Sequence, residues 1–359
     1  MNTLINKKRK KTISVKLGNM IIGGGFPVSV QTMWKKPLVK VTEKLMNSVK
    51  ELEEAGCEIL RFAVPNLETA ELLGTLAEKV NLPLVADIHF DYKIALRCLD
   101  LPIAKIRINP GNIGESWKVC EVIKKAKDKD IPIRVGVNSG SLPKQLKQEK
   151  NVGLAMLKAA EMELDILEKL KFSNVIFSLK SSDLQATIEA NMLFSNKYSY
   201  PLHIGVTEAG PLIPGIIKST IALSVLLNNG IGDTIRISLS DLPENEVTAG
   251  LSILKNCGLR NSGVEIISCP TCGRTQFDVT EFLKKANPFL NKLETGDKNL
   301  TVAVMGCPVN GPGEARNADF GITGTEKYAI IFNQGKIIKR VRAEDAFKAF
   351  KEEILKNTE

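Results

Sequence analysis

The chain has 359 residues, of which 43% are hydrophobic and 5% aromatic, and its formal net charge is +9. Its seven cysteines are too sparse and odd in number for the disulfide framework of a small secreted protein. The basic run Lys7–Lys11 leads into polar sequence, not an apolar signal segment, and no apolar run approaches the ~18 residues that a membrane span needs. We therefore expect a soluble cytoplasmic protein without a membrane partner. Its positive charge indicates an anionic ligand, and the scarcity of aromatic side chains near basic runs favours a phosphorylated small molecule over nucleic acid.

Residues 1–262 repeat one pattern, in which a short β-branched apolar run ends in polar residues or glycine and a helical stretch follows. Helical periodicity at Leu45–Gly56 and Glu244–Gly258 ends each time at a glycine. Eight β-then-α units without a GxGxxG fingerprint favour a closed (β/α)8 TIM barrel over an open doubly wound sheet. The eight runs are PVSVQTM (27–33), EILRFAV (58–64), PLVADIHF (83–90), AKIRINPGN (104–112), IPIRVGVNSG (131–140), NVIFSLKSS (174–182), PLHIGVTEAG (201–210) and DTIRISLS (233–240).

Residues 263–359 follow a different pattern and predict a small α+β domain. The predicted elements are a strand at Val264–Ile267, a helix at Asp278–Ala286, a strand at Leu300–Met305, a hairpin at Tyr328–Val341 that turns at Asn333–Gly335, and an amphipathic helix over 343–355. The polar, glycine-containing link Asn261–Gly263 separates this domain from the barrel. The expected domains are therefore 1–262 and 263–359.

The strand ends of the predicted barrel are rich in cations. An active site in this fold lies at the carboxyl ends of the strands. Four arginines and one lysine there outnumber the carboxylates Asp87 and Glu208, so ion pairing alone leaves positive charge over. Guanidinium groups suit phosphate oxygens, which predicts a ligand with at least two phosphate charges, with barrel-mouth ion pairs as the alternative. The candidate binding residues are Arg61, His89, Arg107, Asn109, Arg134, Asn138, Lys180, Arg236 and Ser238.

Two further residues on these strands, Glu208 and His203, are predicted to have roles other than phosphate binding. Glu208, in the segment VTEAGP, is a candidate catalytic carboxylate that holds a substrate hydroxyl or relays a proton. His203 precedes its strand end by several residues, so we expect it in the core or behind the site.

Three cysteines of the small domain stand in Gly/Pro-rich loops. Cys269 and Cys272 form a C-x-x-C pair and Cys307 follows later, whereas the other four cysteines lie in apolar, helical contexts that predict simple packing. No histidine follows His203, so this domain offers no Cys3His zinc site, and a redox dithiol leaves Cys307 unexplained. An iron–sulfur cluster fits the Cys–Pro loops, with Glu314 as a candidate oxygen ligand for the remaining iron. A structural metal staple is the alternative.

Long motifs spread over residues 13–324 resemble the bacterial 4-hydroxy-3-methylbut-2-enyl-diphosphate synthases of the non-mevalonate isoprenoid pathway. They are ADIHFDYKIA, KIRINPGNIG, RVGVNSGSL, FSLKSS, PLHIGVTEAG, GIGDTIRISLS, ISCPTCGR and VAVMGCPVNGPGEARNADFGI. The resemblance implies an iron–sulfur oxidoreductase that opens 2-C-methyl-D-erythritol 2,4-cyclodiphosphate reductively and releases water. It further implies two-electron delivery through a [4Fe–4S] cluster, a flavodoxin or ferredoxin donor, and a homodimer.

By the same resemblance, the cluster ligands are Cys269, Cys272, Cys307 and Glu314, and Glu208 is the barrel carboxylate. The cyclic diphosphate is expected on the cationic residues of the barrel mouth. One segment departs from the family: members usually read Q-S-M-T and then further Thr, Asn or Asp, whereas this chain reads QTMWKKPL at Gln31–Leu38. No site residue is therefore carried over from this loop.

Two other functions are weighed against this one. A radical-generating barrel enzyme requires three closely spaced cysteines in one loop, and a C-x-x-C pair with a distant cysteine does not supply them. A zinc-stapled basic barrel that binds RNA or another phosphorylated ligand agrees with the pI of about 9.1.

Overall fold

The computed structural model describes residues 8–260, 263–290, 293, 299–307 and 315–358, apart from the side chains of residues 110, 111 and 358. The chain divides into two compact units, Met1–Arg260 and Asn261–Glu359. Within the described residues, no helix is both long enough and apolar enough to cross a membrane.

The first unit is the predicted TIM barrel. Its parallel strands are β3 (Ser29–Met33), β4 (Ile59–Ala63), β5 (Leu84–Ile88), β6 (Lys105–Ile108), β7 (Ile133–Asn138), β8 (Val175–Lys180), β9 (His203–Ile204) and β10 (Thr234–Ile235). Neighbours pair in chain order, β10 pairs with β3, and a parallel bridge between Phe177 and Leu202 joins β8 to the segment of β9. The amide of Phe177 donates to the carbonyl of Pro201 over 2.9 Å, which closes the ring. The prediction of eight parallel strands in a closed barrel is therefore confirmed.

Helices cover the outside of the barrel. They are α1 (Glu43–Glu54), α2 (Leu67–Ala77), α3 (Tyr92–Cys98), α4 (Pro110–Ile113), α5 (Ser116–Asp128), α6 (Val152–Lys169), α7 (Leu184–Lys197), α8 (Leu212–Asn228) and α9 (Pro243–Asn256). The two helices predicted from periodicity, α1 and α9, are both present, and the glycines after them have φ of 96° at Gly56 and 67° at Gly258. A left-handed residue of this kind ends a helix at little cost when it is glycine.

The interior of the barrel has an apolar floor and a charged upper part. Before the first barrel strand, the hairpin β1 (Val15–Leu17) and β2 (Met20–Ile22) packs against the lower strand residues. The floor consists of Val15, Leu17, Ile22, Ile59, Val85 and Ile176. Side chains two residues apart on a strand share a face, so the next inward positions on β6 are Lys105 and Arg107. Bulky branched side chains usually fill such an interior, and here cations replace them.

The second unit is a mixed sheet with two helices. Its strands β11 (Gly263–Ser268), β12 (Asn299–Val304), β13 (Phe320–Gly324), β14 (Tyr328–Asn333) and β15 (Lys336–Arg342) lie in that order. The first three are parallel, and β14 and β15 are antiparallel additions. Helices α10 (Val279–Leu290) and α11 (Ala346–Thr358) form one core with the sheet through Phe282 and Phe350. The predicted strands, hairpin and helices are present, whereas β13 was not predicted.

Candidate active site

One buried carboxylate organises three predicted site residues at the barrel mouth. Asp87, 2% exposed at the end of β5, accepts a hydrogen bond from Nη1 of Arg107 over 3.0 Å. Nε of Arg61 lies 3.6 Å and Nε2 of His89 lies 3.2 Å from Oδ2 of Asp87. Burial alone would raise the pKa of Asp87, but Arg61, His89 and Arg107 outweigh it and hold that pKa below its ordinary value. Asp87 is therefore an anionic anchor for these three side chains.

A glycine on the neighbouring strand gives Arg107 its space. A Cβ atom added at Gly136 on β7 would lie 2.9 Å from Nε and 3.0 Å from Nη2 of Arg107. Real Cβ atoms do not approach a guanidinium that closely, so the arginine could not keep this position beside any other residue. Gly136 thus positions Arg107 across the barrel interior.

A second buried carboxylate, Glu246 on α9, contacts Lys35 and Arg236 at the barrel mouth. It is 1% exposed, accepts from Oγ1 of Thr32 over 2.6 Å, and accepts from the amide of Leu239 over 2.9 Å. Nζ of Lys35 lies 2.6 Å and Nη2 of Arg236 lies 3.5 Å from its Oε1. Sequence reasoning missed both Glu246 and Lys35. A signal for Glu246 was present, because it falls four residues before Gly250 on the buried face of its helix.

Even with these two carboxylates, the mouth retains excess positive charge. The buried cations at the mouth and directly beneath it are Arg61, Lys105, Arg107, Arg134 and Lys180, against the buried anions Asp87 and Glu246. Among the described residues, Nε and Nη1 of Arg134 and Nζ of Lys105 have no hydrogen-bond partner. Burial, reinforced by the neighbouring arginines, lowers the pKa values of Lys105 and Lys180 well below the ordinary range. An arrangement this costly to bury becomes favourable when an anion neutralises it.

The remaining predicted barrel residues lie at or near strand ends. Glu208, Arg236 and Ser238 line one cavity of about 320 Å³. Glu208 has φ of 53°, a left-handed conformation that non-glycine residues adopt mostly where structure or function demands it. Nδ2 of Asn109 donates to Oγ of Ser141 over 2.9 Å, and the Asn138 carbonyl accepts from the same hydroxyl over 3.3 Å.

His203 lies in the barrel interior, where sequence reasoning expected it. It is fully buried on β9, and burial together with nearby cations, Lys180 first, lowers its pKa well below the ordinary value. The ring is therefore neutral at neutral pH.

In the small unit, two thiol-bearing loops follow neighbouring parallel strands. Cys269 comes directly after β11 and Cys307 comes shortly after β12, so both lie at the same end of the sheet. The amide of Cys269 donates to the carbonyl of Val304 over 3.0 Å. The carbonyl of Gly306 accepts from the amides of Gln276 and Phe277 over 2.8 and 3.1 Å, which joins the two loops.

The donor chemistry of these loops fits an iron–sulfur cluster. All three cysteines are free thiols; Cys307 is buried and Cys272 is exposed. The backbone and side chain of Arg274 lower the pKa of the Cys272 thiol, which favours the thiolate that binds metal. Among the described residues, however, no three histidine, cysteine or acidic side chains are already gathered as a metal cage. Glu314, the predicted fourth ligand, lies outside the described residues.

Comparison with known proteins matches both units to one family. Residues 12–251 match the GcpE TIM-barrel domain and residues 265–356 match the GcpE protein C-terminal domain. A Thermodesulfovibrio yellowstonii protein is 48% identical over 351 residues, which cover 97% of this chain and 99% of that protein. A Treponema denticola protein is 50% identical over 345 residues, which cover 90% of this chain and 88% of that protein. Both relatives are named 4-hydroxy-3-methylbut-2-en-1-yl diphosphate synthase (flavodoxin).

Among solved structures, this chain is similar in fold to a distant protein. The Plasmodium falciparum HPPK-DHPS structure with pterin and p-hydroxybenzoate covers 69% of this chain and 48% of its own, with a TM-score of 0.50 and 13% identity. At this identity the likeness concerns the fold alone.

Proposed function

The chain belongs to the GcpE family, and from this premise we propose that it is a 4-hydroxy-3-methylbut-2-enyl-diphosphate synthase. It converts 2-C-methyl-D-erythritol 2,4-cyclodiphosphate into 4-hydroxy-3-methylbut-2-enyl diphosphate by reductive ring opening and dehydration. The observation that carries the proposal is the excess of buried cations over buried carboxylates at the barrel mouth. A cyclic diphosphate supplies the missing negative charge.

The barrel residues divide by the chemistry of their side chains. The basic side chains of the barrel mouth bind the phosphate oxygens. They are Arg107, Arg134, Lys180 and Arg236, together with Arg61 and His89 beside Asp87. Asn109, Asn138 and Ser238 offer neutral hydrogen bonds. Glu208 shares a cavity with Arg236 and Ser238, which supports its role in holding the substrate hydroxyl or moving a proton to the departing oxygen.

In the small unit, Cys269, Cys272, Cys307 and Glu314 hold a [4Fe–4S] cluster. When bound, the cluster would pass the two electrons of the reaction from the protein donor to the substrate, one at a time. The free thiols and the lowered pKa of Cys272 support this assignment. Free thiols also agree with a reducing, cytoplasmic location.

The electron donor is a flavodoxin, as the relatives' names indicate for them, or a ferredoxin. We also propose a homodimer, on the strength of the family resemblance. The relatives give no support to the alternative of a zinc-stapled barrel that binds RNA.

The test is anaerobic purification followed by assay with the cyclic diphosphate and a reduced donor. We expect a broad absorption band near 400 nm, about four irons per chain, and formation of the linear diphosphate. Stoichiometric zinc without that band would refute the cluster, and a bound cluster without turnover would refute the reaction. A Glu314→Ala variant should fold yet be poor in cluster or inactive, whereas full turnover would assign the fourth ligand to another residue.

A further inference from the structure

Lys35 makes an unexpected contact from the loop that departs from the family pattern. Its Nζ donates to Oε1 of Glu246 and to the carbonyl of Leu239, each over 2.6 Å. Trp34 fixes the start of this loop, because its ring stacks on Phe62 with centroids 5.8 Å apart and its amide donates to the Arg61 carbonyl over 2.8 Å. The lysine is thus held at the barrel mouth by its own loop.

Lys35 and Arg236 compete for the same oxygen atom. Oε1 of Glu246 already accepts from Nζ of Lys35 over 2.6 Å and from the amide of Leu239 over 2.9 Å. A carboxylate oxygen has two lone pairs, so these donors saturate it. Nη2 of Arg236 lies 3.5 Å away from that oxygen, longer than a strong charged hydrogen bond. The arginine is therefore near the carboxylate without being captured by it.

The guanidinium of Arg236 also lies at the candidate substrate cavity. It borders the cavity that also contains Glu208 and Ser238, and its Nε has no hydrogen-bond partner among the described residues. If Lys35 were absent, the fully buried carboxylate of Glu246 would need a new positive partner. Arg236 already lies 3.5 Å from that carboxylate, and a shift of less than about 1 Å would give the strong pair that two charged, planar groups form.

We propose that Lys35 is a positioning residue that saturates Glu246 and so keeps the guanidinium of Arg236 available to the phosphate groups of the substrate. The lysine acts through Arg236 and need not touch the substrate itself. The proposal rests on the proposed function for the identity of the ligand, but its physical content concerns only phosphate binding by Arg236.

The neighbouring Lys36 offers a matched control. It has the same charge, is exposed, and stands one position further along the same loop. We expect Lys35→Met to raise KM for the cyclic diphosphate about tenfold with kcat nearly unchanged, because uniform binding is lost. Lys36→Met should leave both constants at the wild-type values. Lys35→Arg, which keeps a donor and a charge, should restore KM to within about threefold.

A double variant separates positioning from general loss of charge. In Lys35→Met/Glu246→Gln the carboxylate that captures Arg236 is gone, so KM should return toward the wild-type value despite the loss of the lysine. If the double variant instead binds as poorly as Lys35→Met, or if Lys36→Met has the same effect as Lys35→Met, the proposal is wrong. A lower kcat at unchanged KM would also refute it.

Calorimetric titration with inorganic pyrophosphate makes this test independent of turnover. Lys35→Met should bind pyrophosphate about tenfold more weakly than the wild type, and equal affinity would overturn the positioning role. A wild-type protein that binds pyrophosphate but does not convert the cyclic diphosphate would refute the proposed function and leave the role of Lys35 standing. Thermal unfolding and the absorbance near 400 nm of each variant show whether fold and cluster are retained.

Discussion

The barrel unit and the small unit build their candidate sites in different ways. In the barrel the charged groups stand on strands, as Lys105 and Arg107 do on β6, so the two-residue period of the strand directs them to one face. In the small unit the thiols stand in the loops that follow β11 and β12, and the described residues contain no preformed metal cage. A site on strands is held by the fold itself, whereas a site on loops needs its metal to draw it together. The following substitutions examine that difference.

The largest effect should come from the small unit. Cys307→Ser removes a thiolate ligand, so we expect the band near 400 nm to disappear and turnover to fall at least about 100-fold. Binding of the cyclic diphosphate, measured by calorimetry, should persist within about tenfold because the barrel cations are untouched. Cys120→Ala, which changes a half-buried thiol on α5, is the control and should keep both cluster and activity. Loss of all diphosphate binding in Cys307→Ser would mean that the two sites are not separable.

Arg107→Met should weaken substrate binding by about 2 kcal/mol, roughly thirtyfold in Kd, because a charged hydrogen-bond donor is lost. Arg97→Met is the matched control, since Arg97 pairs with Glu71 on the exposed surface and such pairs contribute little. Calorimetric titration of both variants measures the difference. Equal affinities for the two variants would return Arg107 to a purely structural ion pair with Asp87.

Arg107→Met should also change how the stability of the barrel depends on acid pH. The lowered pKa of Asp87 means that its contribution to stability is fully present above the unfolded value of about 3.9 and is lost as the pH falls through the folded value. Arg107 is one cause of that lowering, so without it the contribution of Asp87 should be smaller and its loss should be complete at a higher pH. Thermal unfolding of both proteins between about pH 2 and 7 measures this change, and identical profiles would contradict it.

Gly136→Ala should have a smaller effect through the same arginine. The added methyl group forces the guanidinium of Arg107 away from Gly136, so we expect about a tenfold loss of affinity for the cyclic diphosphate, with kcat less affected. Gly140→Ala is the control, because a Cβ there meets nothing within 4 Å. If both glycine variants bind equally well, the position of Arg107 is adaptable and the strand-built site is less rigid than the structure suggests.

The sequence was sufficient to predict what depends on local pattern. Apolar runs predicted the eight barrel strands, and the charges at the ends of those strands predicted the cationic site that includes Arg107 and Arg134. It did not reveal the pair between Lys35 and Glu246, because 211 positions separate them and only closure of the barrel brings them together. Strand β13 was missed since two glycines in five residues weaken the strand pattern.

Lys105→Met should have the smallest effect on substrate binding, and it should make the folded barrel more stable at neutral pH. Lys105 is fully buried beneath the mouth, and its Nζ has no hydrogen-bond partner among the described residues. Its lowered pKa means that the folded state is penalised at neutral pH, and the penalty fades as the pH rises toward the unfolded value of about 10.4. Methionine has a similar length without the charge, so we expect the variant to be about 1 kcal/mol more stable at pH 7.

The gain from Lys105→Met should shrink toward pH 10, which chemical unfolding at several pH values can follow. Substrate affinity should fall by less than in Arg107→Met, because the lysine adds positive potential from below while the arginine donates directly. The barrel would then retain a cation that lowers the stability of the fold and raises the affinity for the ligand, as is common at binding sites. A variant that is less stable than the wild type at pH 7 would instead mean that groups of the folded protein already stabilise the Lys105 amine. The charges inside the barrel would then be compensated without a bound phosphate.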